Sequence, residues 1–339
     1  MFRVFRTDGD GRLLMHQESI GALAPHDVVV RVAAVSLNFR DMPFVRGNQF
    51  RPAVAGRIPF TDAVGVVEAV GSAATRFKRG DRVLSTVLPN WLDGPLTAEG
   101  LAGSLGSRER DGVFADLIRH HEQELVAAPS YLGDIEAATL PVAALTAWHA
   151  VGEAGQVGPG DTVVVQTTGG VALFAVQFAV ALGATVIVIS RSDDKLRRAI
   201  ELGAASVINS VAHADWDRDV LARTGGTGAQ LVLDMGLTES LLRSGRAAAY
   251  EGMVAVIGVV EQYVTPLDIF TVMNKNLRVR GIETGSRAMF ERMNAFMVQH
   301  GIRPVVDAVY APEQADAALD RLATSPFGKV VIEWPASAA

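Results

Sequence analysis

The spacing of apolar residues changes character near residue 130. Before it, short β-branched and aliphatic runs are broken by turn residues. They are Asp27-Val28-Val29-Val30-Arg31-Val32, Ala63-Val64-Gly65-Val66-Val67-Glu68-Ala69-Val70 and Asp81-Arg82-Val83-Leu84, with turns such as Gly71-Ser72 and Arg79-Gly80-Asp81 between them. Short strands with frequent turns predict a compact antiparallel barrel. From about residue 134 helical and extended periods alternate: helix 134–154, strand 162–166, helix 170–182, strand 185–190, helix 193–202, strands 205–208 and 230–234, helix 237–246, and strands 252–258 and 277–282. Parallel neighbours need a crossover between them, so this alternation predicts an α/β fold with a doubly wound parallel sheet. The tail returns to helices at about 287–300 and 312–324 and a strand at Gly328-Lys329-Val330-Val331-Ile332. No internal repeat interrupts the pattern, and residues 335–339 read as frayed.

One stretch of the second region carries chemistry. Val163-Val164-Val165-Gln166-Thr167-Thr168-Gly169-Gly170-Val171 reads as a strand entering a glycine turn, and Phe174, Ala175, Phe178, Ala179 and Leu182 recur at helical spacing until Gly183 closes the helix. A strand that ends in this way aims the free N–H groups and positive dipole end of the next helix at one point, where an anion can sit. Thr168, Gly169, Gly170 and Val171 are therefore the expected contacts of a dinucleotide pyrophosphate. Against the G-x-G-x-x-G fingerprint, Thr167 stands at the first glycine, Ala172 at the third, and Gly169 keeps its place. Paired glycines also serve plain turn chemistry; the periodic context favours the cofactor.

The following strand, Val186-Ile187-Val188-Ile189-Ser190, bears on which dinucleotide. NAD-preferring sites place an acidic residue at its end, where the carboxylate binds ribose hydroxyls and repels a 2′-phosphate. Here Ser190 is followed by Arg191, with Lys195 a helical turn further on, a set that suits a phosphate and predicts NADP(H). Asp193 and Asp194 can pair with those cations or cap the next helix.

Composition bounds the rest. The 339 residues suit two domains, and 49% hydrophobic with 20% charged residues describes a well-buried globular chain. A net charge of −6 with no basic run excludes a nucleic-acid surface. The charged start, Met1-Phe2-Arg3-Val4-Phe5-Arg6, lacks a signal-peptide core, and no apolar run reaches membrane-spanning length, so a cytoplasmic protein that touches no membrane is expected. The absence of cysteine excludes disulfides, thiol catalysis and thiolate metal ligands.

With these elements placed, the chain resembles the medium-chain dehydrogenase/reductase superfamily over nearly its whole length, and specifically its zinc-free, quinone-oxidoreductase-like members. The resemblance rests on an ordered set: Ser36-Leu37-Asn38-Phe39-Arg40-Asp41, Gly65-Val66-Val67 through Gly71, Arg76-Phe77-Lys78-Arg79-Gly80-Asp81-Arg82-Val83, Ala137-Ala138-Thr139-Leu140-Pro141 with Leu145-Thr146-Ala147-Trp148, Pro159-Gly160-Asp161-Thr162-Val163, and Phe327-Gly328-Lys329-Val330-Val331. It implies a GroES-like catalytic barrel built from both chain ends (1–127 and 286–339), a Rossmann dinucleotide-binding domain between them (128–285), and a substrate cleft at their junction. It also implies a homodimer, with Leu277-Arg278-Val279-Arg280-Gly281-Ile282 resembling the strand through which such relatives extend the sheet.

Departures from the family pattern are as informative. Where zinc-dependent relatives place their catalytic ligands, this chain has Asn38, Thr61-Asp62 and Val142, a set that cannot supply a three-ligand zinc site. The structural-zinc lobe is replaced by Pro89-Asn90-Trp91-Leu92-Asp93-Gly94-Pro95 and a segment to about residue 112, read as a loop edging the cleft. Among catalytic candidates, the resemblance implies that Asn38 donates to a substrate oxygen or a nicotinamide-ribose hydroxyl; as a bare loop residue it reads equally as bonding its own backbone. Asp62 reads as a proton relay or a structural acceptor, Asn90 and Trp91 as a donor and an aromatic wall or as loop packing, and Asp41 as a partner of Arg40 or a helix cap. Adjacent His120 and His121 on a strand point to opposite faces and do not form a metal pair. For the cofactor, the resemblance implies contacts from Thr146, from Gly258 and Val259 at the end of a strand, and from Lys329 near the phosphates; Gly285 and Ser286 follow the last strand at the ligand edge of the sheet.

Without a metal to polarise a carbonyl, a substrate that spreads its own developing charge is favoured. The expected function is thus NADPH-dependent reduction of a small electrophile, an activated C=C bond or a quinone. A zinc-free alcohol or aldehyde oxidoreductase and a non-catalytic NADPH-binding protein remain as alternatives.

Overall fold

Residues 1–49, 52–237, 239–258 and 264–335 are described by the structure, a computed structural model. The chain divides into two units, Met1–Leu145 with Thr284–Ala339 and Thr146–Glu283. The first begins with an antiparallel ribbon of β1 (Phe2–Thr7) and β2 (Leu13–Glu18). The long strand β3 (Asp27–Leu37) is followed by α1 (Asp41–Arg46), β4 (Asp62–Val70), β5 (Arg82–Ser85), α2 (Ala98–Leu101), β6 (Leu117–His121), β7 (Leu125–Ala127) and α3 (Asp134–Ala137). The helix expected over 134–154 is broken: Pro141, which lacks an N–H, opens a π-type turn at Leu140–Ala144, and a second such turn at His149–Ala154 follows α4 (Leu145–Trp148).

In the second unit come β8 (Thr162–Gln166), α5 (Gly170–Ala181), β9 (Thr185–Ser190), α6 (Asp193–Glu201), β10 (Ser206–Asn209), α7 (Trp216–Arg223), β11 (Ala229–Asp234), α8 (Ser240–Ala247), β12 (Ala248–Val256), α9 (Ile269–Asn274) and β13 (Arg278–Gly281). The strands form one parallel sheet in the order β10-β9-β8-β11-β12-β13. Val163, Val164 and Val165 of β8 and Leu231, Val232 and Leu233 of β11 are all buried, as strands covered on both faces require. Strand order reverses between β8 and β11, which opens a crevice at their carboxyl ends.

The chain then returns to the first unit as α10 (Arg287–His300), β14 (Val306–Tyr310), α11 (Ala315–Ala323) and β15 (Lys329–Glu333). A seven-stranded sheet runs β14-β15-β3-β4-β5-β7, with β6 also on β3. Its core centres on Phe114, whose ring lies 4.4 Å from Phe5, 4.9 Å from Phe60 and 5.5 Å from Trp334. The units change over at Leu145/Thr146 and Glu283/Thr284, against the expected 127/128 and 285/286. Residues 128–145 stay with the first unit because their polar groups are satisfied there: Arg82 donates to Asp134 Oδ1 at 2.5 Å, and the Tyr131 hydroxyl to the Ile302 carbonyl at 2.5 Å. No helix among the described residues is long and apolar enough to cross a membrane.

Glu122 staples the loop after β4. Its buried carboxylate accepts the Thr75 and Arg76 N–H groups at 2.7 and 2.6 Å and faces His26 Nδ1 at 2.7 Å. These donors outweigh the effect of burial and hold its pKa at about 2. Glu122→Ala leaves two N–H groups without their acceptor and is expected to lower unfolding free energy by about 2–4 kcal/mol in urea titration; a loss under about 0.5 kcal/mol would show that the staple is idle.

Candidate active site

Strand register builds a polar cluster in the first unit. Leu37 lies opposite Val330 of β15, and Ser36 lies opposite Asp62 of β4. Asn38, Thr61, Asp62 and Lys329 thereby arrive at one end of the sheet, all buried. The Lys329 ammonium donates to the Leu37 carbonyl at 2.8 Å and to Asn38 Oδ1 at 2.5 Å, and lies 3.6 Å from Asp62 Oδ2. Thr61 donates its hydroxyl to Asp62 Oδ1 at 2.8 Å, the Val142 N–H reaches Asp62 Oδ2 at 3.3 Å, and Asn38 Nδ2 lies 3.5 Å from Thr61 Oγ1. Ser85, which the sequence did not single out, supports the cluster by donating to the Thr61 carbonyl at 2.8 Å and accepting the Ala63 N–H at 3.0 Å.

The backbone entering this cluster is strained. Phe60 is fully buried with φ of 67°, a left-handed conformation costly for a bulky residue. Gly112 permits it, because a Cβ there would fall 2.0 Å from the Phe60 carbonyl oxygen. Desolvation raises the pKa of Asp62, opposed by Lys329; it lowers that of Lys329, opposed by Asp62 and Asp41. Asp41 accepts the Asn38 N–H at 2.7 Å, and its burial pushes the carboxyl up to about 7 against that bond and Arg40. Arg40 itself donates to Ser104 at 3.0 Å.

The other catalytic candidates do not join the cluster. Trp91 is buried with its indole N–H on the Gly94 carbonyl at 2.8 Å, and Asn90 is exposed with Nδ2 on the Ala102 carbonyl at 3.0 Å. Both bonds fold the loop on itself, as in the loop-packing alternative. Lys329, expected near cofactor phosphates, is enclosed among Leu37, Asn38 and Asp62. Ser286 caps α10, its hydroxyl accepting the Met289 N–H at 3.2 Å. Gly285 packs so closely that a Cβ would lie 2.8 Å from Leu145 Cγ. His120 is buried and His121 exposed, on opposite faces of β6.

In the second unit the turn after β8 is the notable feature. Thr167 takes the left-handed conformation that a glycine would adopt, φ 67°, and its N–H is donated to the Ile189 carbonyl at 2.8 Å. Thr168 is buried, and Gly169 precedes α5 with no side-chain cap. A Cβ on Gly169 would meet nothing within 4 Å. No side chain caps the first N–H groups of α5, an arrangement that fits a pyrophosphate. Gly170 and Val171 open the helix. Below the turn, Gln166 Nε2 donates to Ser244 Oγ at 2.8 Å, and Ser244 and Ser240 donate to Asp234 at 2.6 and 2.7 Å. This buried network joins the carboxyl ends of β8 and β11; its residues lie 68 and 78 apart in sequence, beyond any local pattern.

Ser190 is half-buried at the end of β9, Arg191 is exposed and Lys195 half-buried on α6. Asp193 accepts Asn209 Nδ2 at 2.7 Å and Asp194 pairs with Arg197. Thr146 is buried. Gly258 follows β12 where a Cβ would lie 2.6 Å from the Met235 carbonyl oxygen, and Val259 lies outside the described residues.

One unit with a parallel sheet in this order and a glycine turn after its first strand, and another whose seven-stranded sheet takes in the C-terminal strand, are the marks of a two-domain dehydrogenase. The family comparisons agree: residues 24–130 match the alcohol dehydrogenase GroES-like domain and residues 170–299 the zinc-binding dehydrogenase domain. A zinc-type alcohol dehydrogenase-like protein of Schizosaccharomyces pombe is 37% identical over 318 residues, covering 92% of each chain. The structure of a putative alcohol dehydrogenase from Sinorhizobium meliloti 1021 is 40% identical and superposes with a TM-score of 0.92 over 98% of both chains. A 2-haloacrylate reductase of a Burkholderia species is 27% identical, covering 91% of this chain and 87% of its own. The chain belongs to the medium-chain dehydrogenase/reductase superfamily, and it is an oxidoreductase of that type. Nicotinamide dinucleotides are the cofactors of this family, and the turn before α5 fits one.

Zinc, which the matched family implies, does not fit the Asn38 cluster. Asp62 is its one carboxylate near Lys329, both Asp62 oxygens already accept protein hydrogens, and the ammonium 3.6 Å away would repel a dication. No group of three or more His, Cys, Asp or Glu residues able to hold a metal occurs among the described residues.

A carboxyl with a higher pKa in the folded than in the unfolded chain favours folding below its unfolded value, 3.8 for Asp41, and loses that contribution as pH rises through about 7. Asp41→Asn removes this dependence. Relative to wild type the variant is expected to gain on the order of 1–3 kcal/mol between pH 4 and pH 8 in chemical denaturation; a difference independent of pH would show that Asp41 ionises as an ordinary carboxyl.

Proposed function

We propose that this chain is a zinc-independent, NADPH-dependent reductase of an activated C=C bond, as in an α,β-unsaturated carbonyl, or of a quinone. The donor set around Asn38 carries this reading: an amide backed by an ammonium offers hydrogen bonds and no Lewis acid. A simple ketone concentrates negative charge on one oxygen during reduction, whereas an enone or quinone spreads it as an enolate or hydroquinone anion. Hydrogen bonds are then enough. Asn38 Nδ2 donates to the substrate oxygen, Thr61 and Asp62 hold the surroundings of the amide, and water provides the proton that completes the product. The similarity to a 2-haloacrylate reductase, whose name specifies an acrylate, supports an activated alkene.

Bound NADPH supplies the hydride. Thr168, Gly169, Gly170 and Val171 hold its pyrophosphate, Ser190, Arg191 and Lys195 its 2′-phosphate, and Thr146, Gly258, Val259 and Gly285 its nicotinamide end. The engagement of Asp193 by Asn209 and of Asp194 by Arg197 supports the phosphorylated cofactor, because Ser190 and Arg191 then set the charge at the end of β9. Relatives named as alcohol dehydrogenases favour a second reading, NADP-dependent alcohol or aldehyde turnover.

The chain is further proposed to form homodimers through β13. This edge strand is exposed along its whole length, and Ile269, Phe270 and Met273 of α9 are each about two-thirds exposed. An open edge strand and exposed apolar side chains each favour association with a second copy.

NADPH oxidation against electron-poor alkenes, quinones and aldehydes tests the first reading. Alkene or quinone turnover, with a lower KM for NADPH than for NADH, is expected. Asn38→Ala is expected to lower kcat about 100-fold with dinucleotide affinity kept. Equal or better use of NADH would sink the cofactor assignment, and steady alcohol oxidation without alkene reduction would favour the second reading. For the assembly, sedimentation velocity at micromolar concentration is expected to show a dimer that Phe270→Glu/Val279→Glu converts to monomer; a monomeric wild type removes the proposal.

A further inference from the structure

Lys329 is the most deeply enclosed cation of the cluster, with 3% of its surface exposed. Burying an ammonium carries a desolvation penalty of several kcal/mol, so its acceptors must be well placed. They are the Leu37 carbonyl at 2.8 Å, Asn38 Oδ1 at 2.5 Å and, at 3.6 Å, Asp62 Oδ2. An ammonium has donors and no acceptor, so the Asn38 atom facing it has to be the carbonyl oxygen. The orientation of this amide is thereby set by chemistry: oxygen toward Lys329, nitrogen toward Thr61 Oγ1 at 3.5 Å. Thr61 gives its own hydrogen to Asp62, so its oxygen accepts from Asn38. Asn38 has 7% of its surface exposed, while Thr61 and Asp62 have none.

We propose that Lys329 is a positioning residue for the reduction: its ammonium locks the Asn38 amide with the nitrogen as the donor and polarises it, taking the electrostatic part that a metal ion plays in zinc-dependent relatives. The inference rests on the proposed reduction, in which Asn38 meets the substrate oxygen. Pulling electron density through Oδ1 makes the Nδ2 hydrogens stronger donors toward an oxygen gaining negative charge. The charged groups that bear on Lys329 are Asp62 on β4 and Asp41 on α1, with Arg40 acting on Asp41. As pH rises the ammonium loses its proton, and with it the charge that fixes and polarises the amide.

Lys329→Met alone strands Asp62 in the interior and can fail to fold. The informative pair is therefore the wild type and Asp62→Asn/Lys329→Met, which removes both charges, with Asp62→Asn as a control whose ammonium, without its carboxylate, gives up its proton at lower pH. The double variant is expected to show kcat about 100-fold below the wild type, with the NADPH dissociation constant within about threefold and the fall of kcat with rising pH abolished. In 15N-asparagine-labelled protein, the Asn38 side-chain amide, assigned with Asn38→Ala, is expected to shift in one titration in the wild type, at lower pH in Asp62→Asn, and to lose that titration in the double variant. A double-variant kcat within about threefold of the wild type, or an Asn38 titration that persists without Lys329, overturns the proposal. Should the wild type reduce no acceptor, the amide signal still decides. A titration that depends on Lys329 upholds its grip on Asn38 and locates the failure in the substrate reading.

Discussion

An ammonium inside a protein must be surrounded by acceptors, and in this chain they come from three adjacent strands. Lys329 opens β15, Leu37 ends β3 with Asn38 directly after it, and Asp62 opens β4. The pairings of Val330 with Leu37 and Ser36 with Asp62 fix all three ends together, so a slip of one residue in either ladder would break the cluster. Around it, Val330, Val331, Ile332, Val35 and Leu37 are almost wholly buried. That apolar setting makes each polar contact stronger and each missing contact more costly. The register that pairs the C-terminal strand with β3 therefore also assembles the polar cluster.

Two strained residues stand beside the two functional regions. Phe60 and Thr167 both have φ of 67°. Such conformations persist only where the surroundings over-determine them. Phe60 is held in the aromatic core by Phe114 and by the backbone approach of Gly112. Thr167 is held by its bond to Ile189 on the neighbouring strand. Thr61 and Asp62, at the entry to β4, follow the first of these residues, and Thr168 and Gly169, between β8 and α5, follow the second.

The sequence made periodic structure legible and close approaches invisible. Continuous apolar runs in β8, β9 and β11 announce a parallel sheet, and Gly169 at a strand end announces an anion site, because both signals lie within a few residues. α7 did not show itself: its Trp-Asp-Arg-Asp start presents few apolar positions for a periodic stripe. β14 was missed for a similar reason, since every residue in it is partly or fully exposed. Asn38 and Asp62 were singled out, but the bond between Asn38 and Lys329 spans 291 residues and only strand register reveals it. Trp91 looked available for a ligand because it sits among Pro, Asp and Gly; that loop instead folds over the indole and accepts its N–H at Gly94.

In the proposed reading, an ammonium paired with a carboxylate stands where zinc-dependent relatives hold a dication, which changes what the site can stabilise. A zinc ion carries uncompensated charge and acts directly on a carbonyl oxygen. Lys329 with Asp62 is neutral as a pair, so its field falls off quickly and reaches a ligand mainly through the amide of Asn38, as a directional hydrogen bond. A directional donor of modest strength discriminates by how much charge each acceptor oxygen must carry. A localised alkoxide stays poorly stabilised, whereas a delocalised enolate or hydroquinone anion, already stabilised by its own conjugation, needs little more than orientation. In that proposed reading, the weakness of the cluster as an electrophile is a source of selectivity between carbonyl and conjugate reduction.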